Sequence, residues 1–104
     1  GYMLKSIGNY MERKKCMKAV ISVVGKDRPG ILAFVATKCA DKQINIVDVT
    51  QKVLQGLFTM IMIVEVPEEV KIQDISEEFG AFGKAEGLDM HVMAEDFFNA
   101  MHSI

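Results

Sequence analysis

Residues 18–24, Lys-Ala-Val-Ile-Ser-Val-Val, form a short β-branched run that stops at Gly25, the pattern of a strand. In ILAFVATKCADK, apolar residues then recur at helical spacing, with Ile31, Phe34 or Val35, and Cys39 on one face. A second β-branched run, INIVDVTQKVLQ, leads to Gly56, and LFTMIMIVEV follows at once. The Gln55-Gly56 step predicts a hairpin, because Gly tolerates the positive φ of a tight turn. Pro67-Glu68-Glu69 ends the third strand. Ile72, Ile75, Phe79 and Phe82 make an apolar stripe at helical spacing, weakened by Gly80 and Gly83 and closed by Gly87. In LDMHVMAE, Leu88, Met90, Val92 and Ala94 alternate onto one face of a fourth strand. The tail DFFNAMHSI predicts a short final helix with Phe97, Phe98 and Met101 turned inward.

The predicted order is β-α-β-β-α-β. In so short a chain it implies an α+β, ferredoxin-like sandwich: a four-stranded antiparallel sheet with both helices on one face. Residues 1–16 show no sustained period and are expected to be a leader or cloning-derived segment, disordered and outside the fold. Met3, Met11 and Met17 are each candidate starts. Residues 17–104 form the domain, short C-terminal helix included. Strands one and three carry apolar residues on both faces: Val20 and Val24 behind Ala19, Ile21 and Val23, and Ile61 and Ile63 behind Met60, Met62 and Val64. Helices cover one face only, so the other is expected to present an apolar patch that drives association.

Composition narrows the function more than it names it. A chain of 104 residues suffices for one domain, and a domain this small gains from burying surface against a partner. The net charge of −2, with no basic stripe beyond Arg13-Lys14-Lys15, argues against nucleic acid and an anionic membrane. No apolar run approaches a membrane span, and the N-terminus lacks the apolar core of a signal peptide. Cys16 and Cys39 do not make a disulfide framework, and as free thiols they suggest a reducing cytoplasm. His91 and His102 share no metal-ligand spacing, no nucleophile–base order is compelling, and no phosphate-binding loop is present. A metallochaperone of this fold would want Cys-x-x-Cys near the first loop, and an RNA-binding sheet would show aromatics on strands one and three, where Phe58 stands alone. The expectation is a non-enzymatic protein without cofactor or metal.

The chemistry concentrates in Gly25-Lys26-Asp27-Arg28-Pro29-Gly30-Ile31. A Gly-containing turn at a helix N-terminus exposes backbone N–H groups in a positive dipole field, which suits a carboxylate. Gly30 admits close approach to the backbone, Asp27 can receive an ammonium group, and the Asn45 amide both donates and accepts. Together these offer complementary ends for a zwitterion. The plain alternative is a structural turn: Asp27 as a helix cap, Pro29 and Gly30 as turn formers, and Asn45 bonded to its own backbone.

The D-R-P-G-I turn, followed at this separation by Ile44-Asn45-Ile46 within the full element order, resembles the ACT domain from Lys18 to about Glu95. The tail Phe97-Phe98-Asn99-Ala100-Met101-His102 resembles that of small prokaryotic stand-alone ACT proteins. The resemblance implies a regulatory module in which two subunits pair sheet edge to sheet edge, with the GKDRPGI turn of one near the other. An amino acid or similar small metabolite would bind at that interface, with Gly25, Asp27, Arg28, Pro29, Gly30, Ile31 and Asn45 as the candidate binding residues. Two positions depart from the family pattern: Gly25 stands where amino-acid binders often carry a polar side chain, and Asp27 where they carry Asn. A carboxylate cannot donate to a ligand carboxylate, so a serine-type geometry does not carry over. Expected partners are a second copy, as dimer or tetramer, a small-molecule ligand and a further protein that reads the state. The alternative is a ligand-free interaction or oligomerisation module.

Overall fold

A computed structural model describes residues 16–96. Four strands and two helices follow in the predicted order: β1 (Cys16–Lys26), α1 (Ile31–Asp41), β2 (Asn45–Leu54), β3 (Leu57–Pro67), α2 (Ile72–Ala85) and β4 (Leu88–Ala94). They form one antiparallel sheet of order β2-β3-β1-β4. β1 and β3 are central, and each connection through a helix crosses over one neighbour, which is the ferredoxin-like arrangement. The segment 1–15 and the tail with Phe97, Phe98 and Met101 lie outside the described residues.

The period-2 and helical patterns converge on a single core. Ala19, Ile21 and Val23 of β1 and Met60, Met62 and Val64 of β3 face the helices, together with Met90 and Val92 of β4. Val35 and Cys39 of α1 and Ile75 and Phe79 of α2 close over them. Phe34 packs between the helices, where its ring stacks on Phe82 at 4.3 Å and 10°. Lys38 of α1 and Lys42, which caps its C-terminus, both reach Glu78 of α2 at 2.8 Å, tying the helix layer together at its rim.

The glycines divide into two kinds. Gln55 and Gly56 have φ of 53° and 79°, the paired positive values of a type I′ hairpin turn, so β2 and β3 join as predicted. Gly83 serves packing instead: a Cβ there would stand 2.6 Å from Met90 Cγ and 2.9 Å from the Leu88 carbonyl oxygen. α2 runs through both of its glycines without a break.

The apolar surface differs from the expected one. Val20, on the sheet face opposite the helices, is fully buried, and Ile61 and Ile63 are half-buried. The large apolar side chains that are exposed among the described residues are Met17, Leu32, Val47, Val53, Leu54 and Leu57. Three of these lie on β2, one edge of the sheet, and Leu32 and Leu57 sit beside it at the start of α1 and the hairpin tip. The predicted open-face patch is thus largely replaced by an apolar edge.

Candidate functional site

The β1–α1 turn leaves the sheet beside the β2–β3 hairpin. Gly25 and Lys26 still pair with Phe58 and Leu57, and the Asp27 N–H then donates to the Gly56 carbonyl at 2.9 Å. Pro29 and Gly30 turn the chain into α1. Gly30 adopts φ 86° and ψ 5°, the values of the third residue of a type II turn, which an L side chain fits poorly. Gly30 is also the residue that precedes the helix, and its carbonyl accepts the first helical bond, from the Phe34 N–H at 2.9 Å.

The sequence suggested Asp27 as the helix cap, and here the geometry disagrees. α1 has no side-chain cap, because the Pro29-Gly30 corner puts Asp27 three residues before the capping position. The N–H groups of Ile31, Leu32 and Ala33 precede the first intrahelical donor, Phe34, and have no partner within the helix. They carry the positive end of the helix dipole.

Along the side of this turn runs a groove of about 350 Å³ between the start of α1 and the second half of β2. Asp27, Arg28 and Lys52 stand at its rim, Leu32 and Val53 form walls, and Ile31 and Phe58 form the floor. Gln51 contributes an amide from the same face of β2 as Val53. Such a volume lies at the low end of small-molecule sites, about 300–1,000 Å³.

The predicted residues are brought together only in part. Asp27, Arg28, Gly30 and Ile31 line the groove. Pro29 shapes the turn. Gly25 lies at the end of β1, where a Cβ would stand 2.6 Å from Leu88 Cδ2 and 3.3 Å from the Gly87 oxygen, so close packing explains its lack of a side chain. Arg28 leans toward the α2–β4 turn, with its Nη2 3.3 Å from the Glu86 carbonyl and 3.5 Å from Glu86 Oε1. That contact is long and exposed, so it holds Arg28 weakly.

Asn45 is at the other end of β2, where its Nδ2 donates to Glu65 Oε1 at 3.1 Å. Eight residues of strand separate it from Val53, roughly 26 Å along the edge. Within one subunit, therefore, Asn45 does not join the turn. Leu32, Gln51, Val53 and Phe58 were missed as site residues. Strand alternation already placed Gln51 on the apolar face of β2, between Val49 and Val53, and that break was the available signal.

The remaining chemistry-bearing groups are scattered. Burial pushes the Cys39 thiol up to about 11, which keeps it protonated and unreactive near neutral pH. His91 lies on β4, with its Nε2 2.9 Å from Asp89 Oδ1 on an exposed surface. Among the described residues no three His, Cys, Asp or Glu side chains gather as a metal site, and no helix is long and apolar enough to cross a membrane.

Comparison with known proteins bears on the same residues. The ACT domain family matches residues 18–93. A UPF0237 protein of Streptococcus mutans is 43% identical over 88 residues, spanning 85% of this chain and all of the relative. A UPF0237 protein of Methanosarcina mazei is 42% identical over 86 residues, 82% of this chain and 94% of its own. A solved ACT domain protein from Streptococcus pneumoniae superimposes with a TM-score of 0.74 at 39% identity, covering 85% of this chain and all of that one. The chain therefore belongs to the ACT domain family, whose general class is that of regulatory modules that bind small molecules.

Proposed function

We propose that this protein is a non-enzymatic regulatory module that binds an amino acid, or a similar small metabolite, where two copies meet along β2. The observation that carries the reading is the juxtaposition at the groove of an uncapped helix start with the Asp27 carboxylate. The first suits a carboxylate and the second an ammonium group, the two ends of one zwitterion.

The distance to Asn45 fits this reading once a second copy is added. β2 is an edge strand, and two edges related by a two-fold axis pair antiparallel. If the axis passes near Val49, position 45 of one strand lies opposite position 53 of the other. Asn45 of a partner subunit would then lie beside the groove that its own subunit denies it, and its side chain would have to release Glu65 and turn around the strand edge to meet the ligand. A ligand held by both copies favours their association, and a further protein reads the paired state.

Thermal unfolding against millimolar amino acids tests the proposal. At 100 times its dissociation constant, a ligand specific for the native state adds about 2.7 kcal/mol. Each kcal/mol raises the midpoint of a domain this size by roughly 4–8 °C. One or more amino acids are expected to raise the midpoint, and Asp27→Ala and Asn45→Ala are each expected to abolish the shift. A flat panel sinks the reading. It would favour a ligand-free oligomerisation module, for which the exposed Val47, Val53 and Leu54 on one edge already speak.

A further inference from the structure

The groove is lined by apolar side chains as well as charged ones. We infer that its ligand is an amino acid with an apolar side chain, selected by Leu32 and Val53 over the floor of Ile31 and Phe58. This rests on the amino-acid reading above and narrows it.

Ile31 and Phe58 are 2% and 6% exposed and are held in the core, so the floor is rigid and apolar. Leu32 and Val53 stand over it at 36% and 51% exposed, on two different elements that face each other across the groove. Large apolar side chains left that exposed around a concavity leave apolar surface in water, and an apolar ligand group would remove it. The charges are confined to the rim, in Asp27, Arg28 and Lys52. A ligand whose two charged ends engage Asp27 and the start of α1 therefore points its side chain toward the floor.

The chemistry also says what is disfavoured. A carboxylate or ammonium on the side chain would lose water against Leu32 and Val53 and would recover a counter-charge only by turning back to Asp27, Arg28 or Lys52 at the rim. A hydroxyl would find Gln51 as its one uncharged polar side chain in the groove. Glycine and alanine would leave the exposed faces of Leu32 and Val53 in water. Leucine, isoleucine, valine and methionine cover them without a buried polar atom.

The competing occupant is the partner's own β2, whose first residues, around Asn45 to Val47, would bury the same surface with no ligand in the two-fold pairing described above. The two are separated by measuring, on the full chain, the thermal midpoint against graded leucine, valine, methionine, serine, glycine and aspartate, with the molecular mass in solution followed in parallel. Selectivity in such a pocket is worth a factor of ten or more per unsatisfied group or missing methylene, so leucine or a similar side chain is expected to bind at least about tenfold tighter than serine or glycine. Val53→Asn and Leu32→Gln, both at exposed positions, are expected to erase that preference while Asp27→Ala removes binding of every amino acid.

Serine, glycine or aspartate binding as tightly as leucine would overturn this inference and leave the amino-acid reading standing. A preference for leucine that survives in both Val53→Asn and Leu32→Gln would also overturn it. A flat panel overturns both, and a loss of mass in Val53→Asn would then identify the partner strand as the occupant.

Discussion

Glu78 shows how a single side chain can be read on a pH axis. Hydrogen bonds from Lys38 first, and then from Lys42, hold its carboxyl below the ordinary value of 4.5. A carboxylate whose folded pKa is depressed stabilises the fold above its unfolded pKa, and the contribution fades as pH falls through the folded value. Native protein and Glu78→Gln are therefore expected to differ in thermal midpoint at neutral pH and to converge as pH falls below the ordinary value of 4.5 and through the depressed one, with the native protein the steeper of the two. Because the group lies at the surface, the gap should also shrink in high salt. Parallel midpoint curves at all pH values would show that the clamp contributes nothing.

Within elements, α2 separates two glycines that look alike in sequence. At Gly83 a Cβ would meet the Met90 side chain at 2.6 Å and the Leu88 backbone oxygen at 2.9 Å, whereas at Gly80 its nearest neighbour is the Met90 oxygen at 3.9 Å. Gly83→Ala is expected to destabilise by about 1–3 kcal/mol, since room must be made in a packed core. Gly80→Ala is expected to stabilise by about 0.5–1 kcal/mol through helix propensity alone. Urea unfolding of the two variants checks the opposite signs. Sequence had treated both glycines as weak points of the helix, because period and propensity carry no information on how closely β4 approaches. The same limit explains Asp27, since a D-x-P-G string reads as a cap until Gly30 takes its left-handed φ and the helix starts beyond reach. Alternation and spacing did reveal the strands, the hairpin at Gln55-Gly56 and the helix faces, because those patterns are direct images of what lies buried.

For the whole molecule, the informative surface is the β2 edge. The sequence located excess apolar residues on the two central strands, but there Val20 is buried and Val24, Ile61 and Ile63 are half-buried, while most of the exposed large apolar side chains among the described residues gather on β2 and beside it. That could not be read beforehand, because alternation fixes which side chains share a face and not which strand ends as an edge. The position of Asn45 was illegible for a related reason: it belongs with the turn only if a two-fold axis is supplied. If β2 pairs with its copy, the native thermal midpoint is expected to rise with protein concentration. Introducing charge with Val47→Asp and Leu54→Asp together should then yield a monomer by sedimentation, with a concentration-independent midpoint. An unchanged mass would move the interface elsewhere.

Gly25 has a further consequence for how the proposed site can change. Its neighbours Leu88 and Gly87 occupy the space that any side chain at that position would need. A mutational library built at position 25 alone should return little but glycine. One that also opens position 88 to smaller residues should admit Ser, Asn or His at the end of β1. New specificity on this scaffold is thus reached by a paired route, with the floor beneath the loop altered before the loop itself.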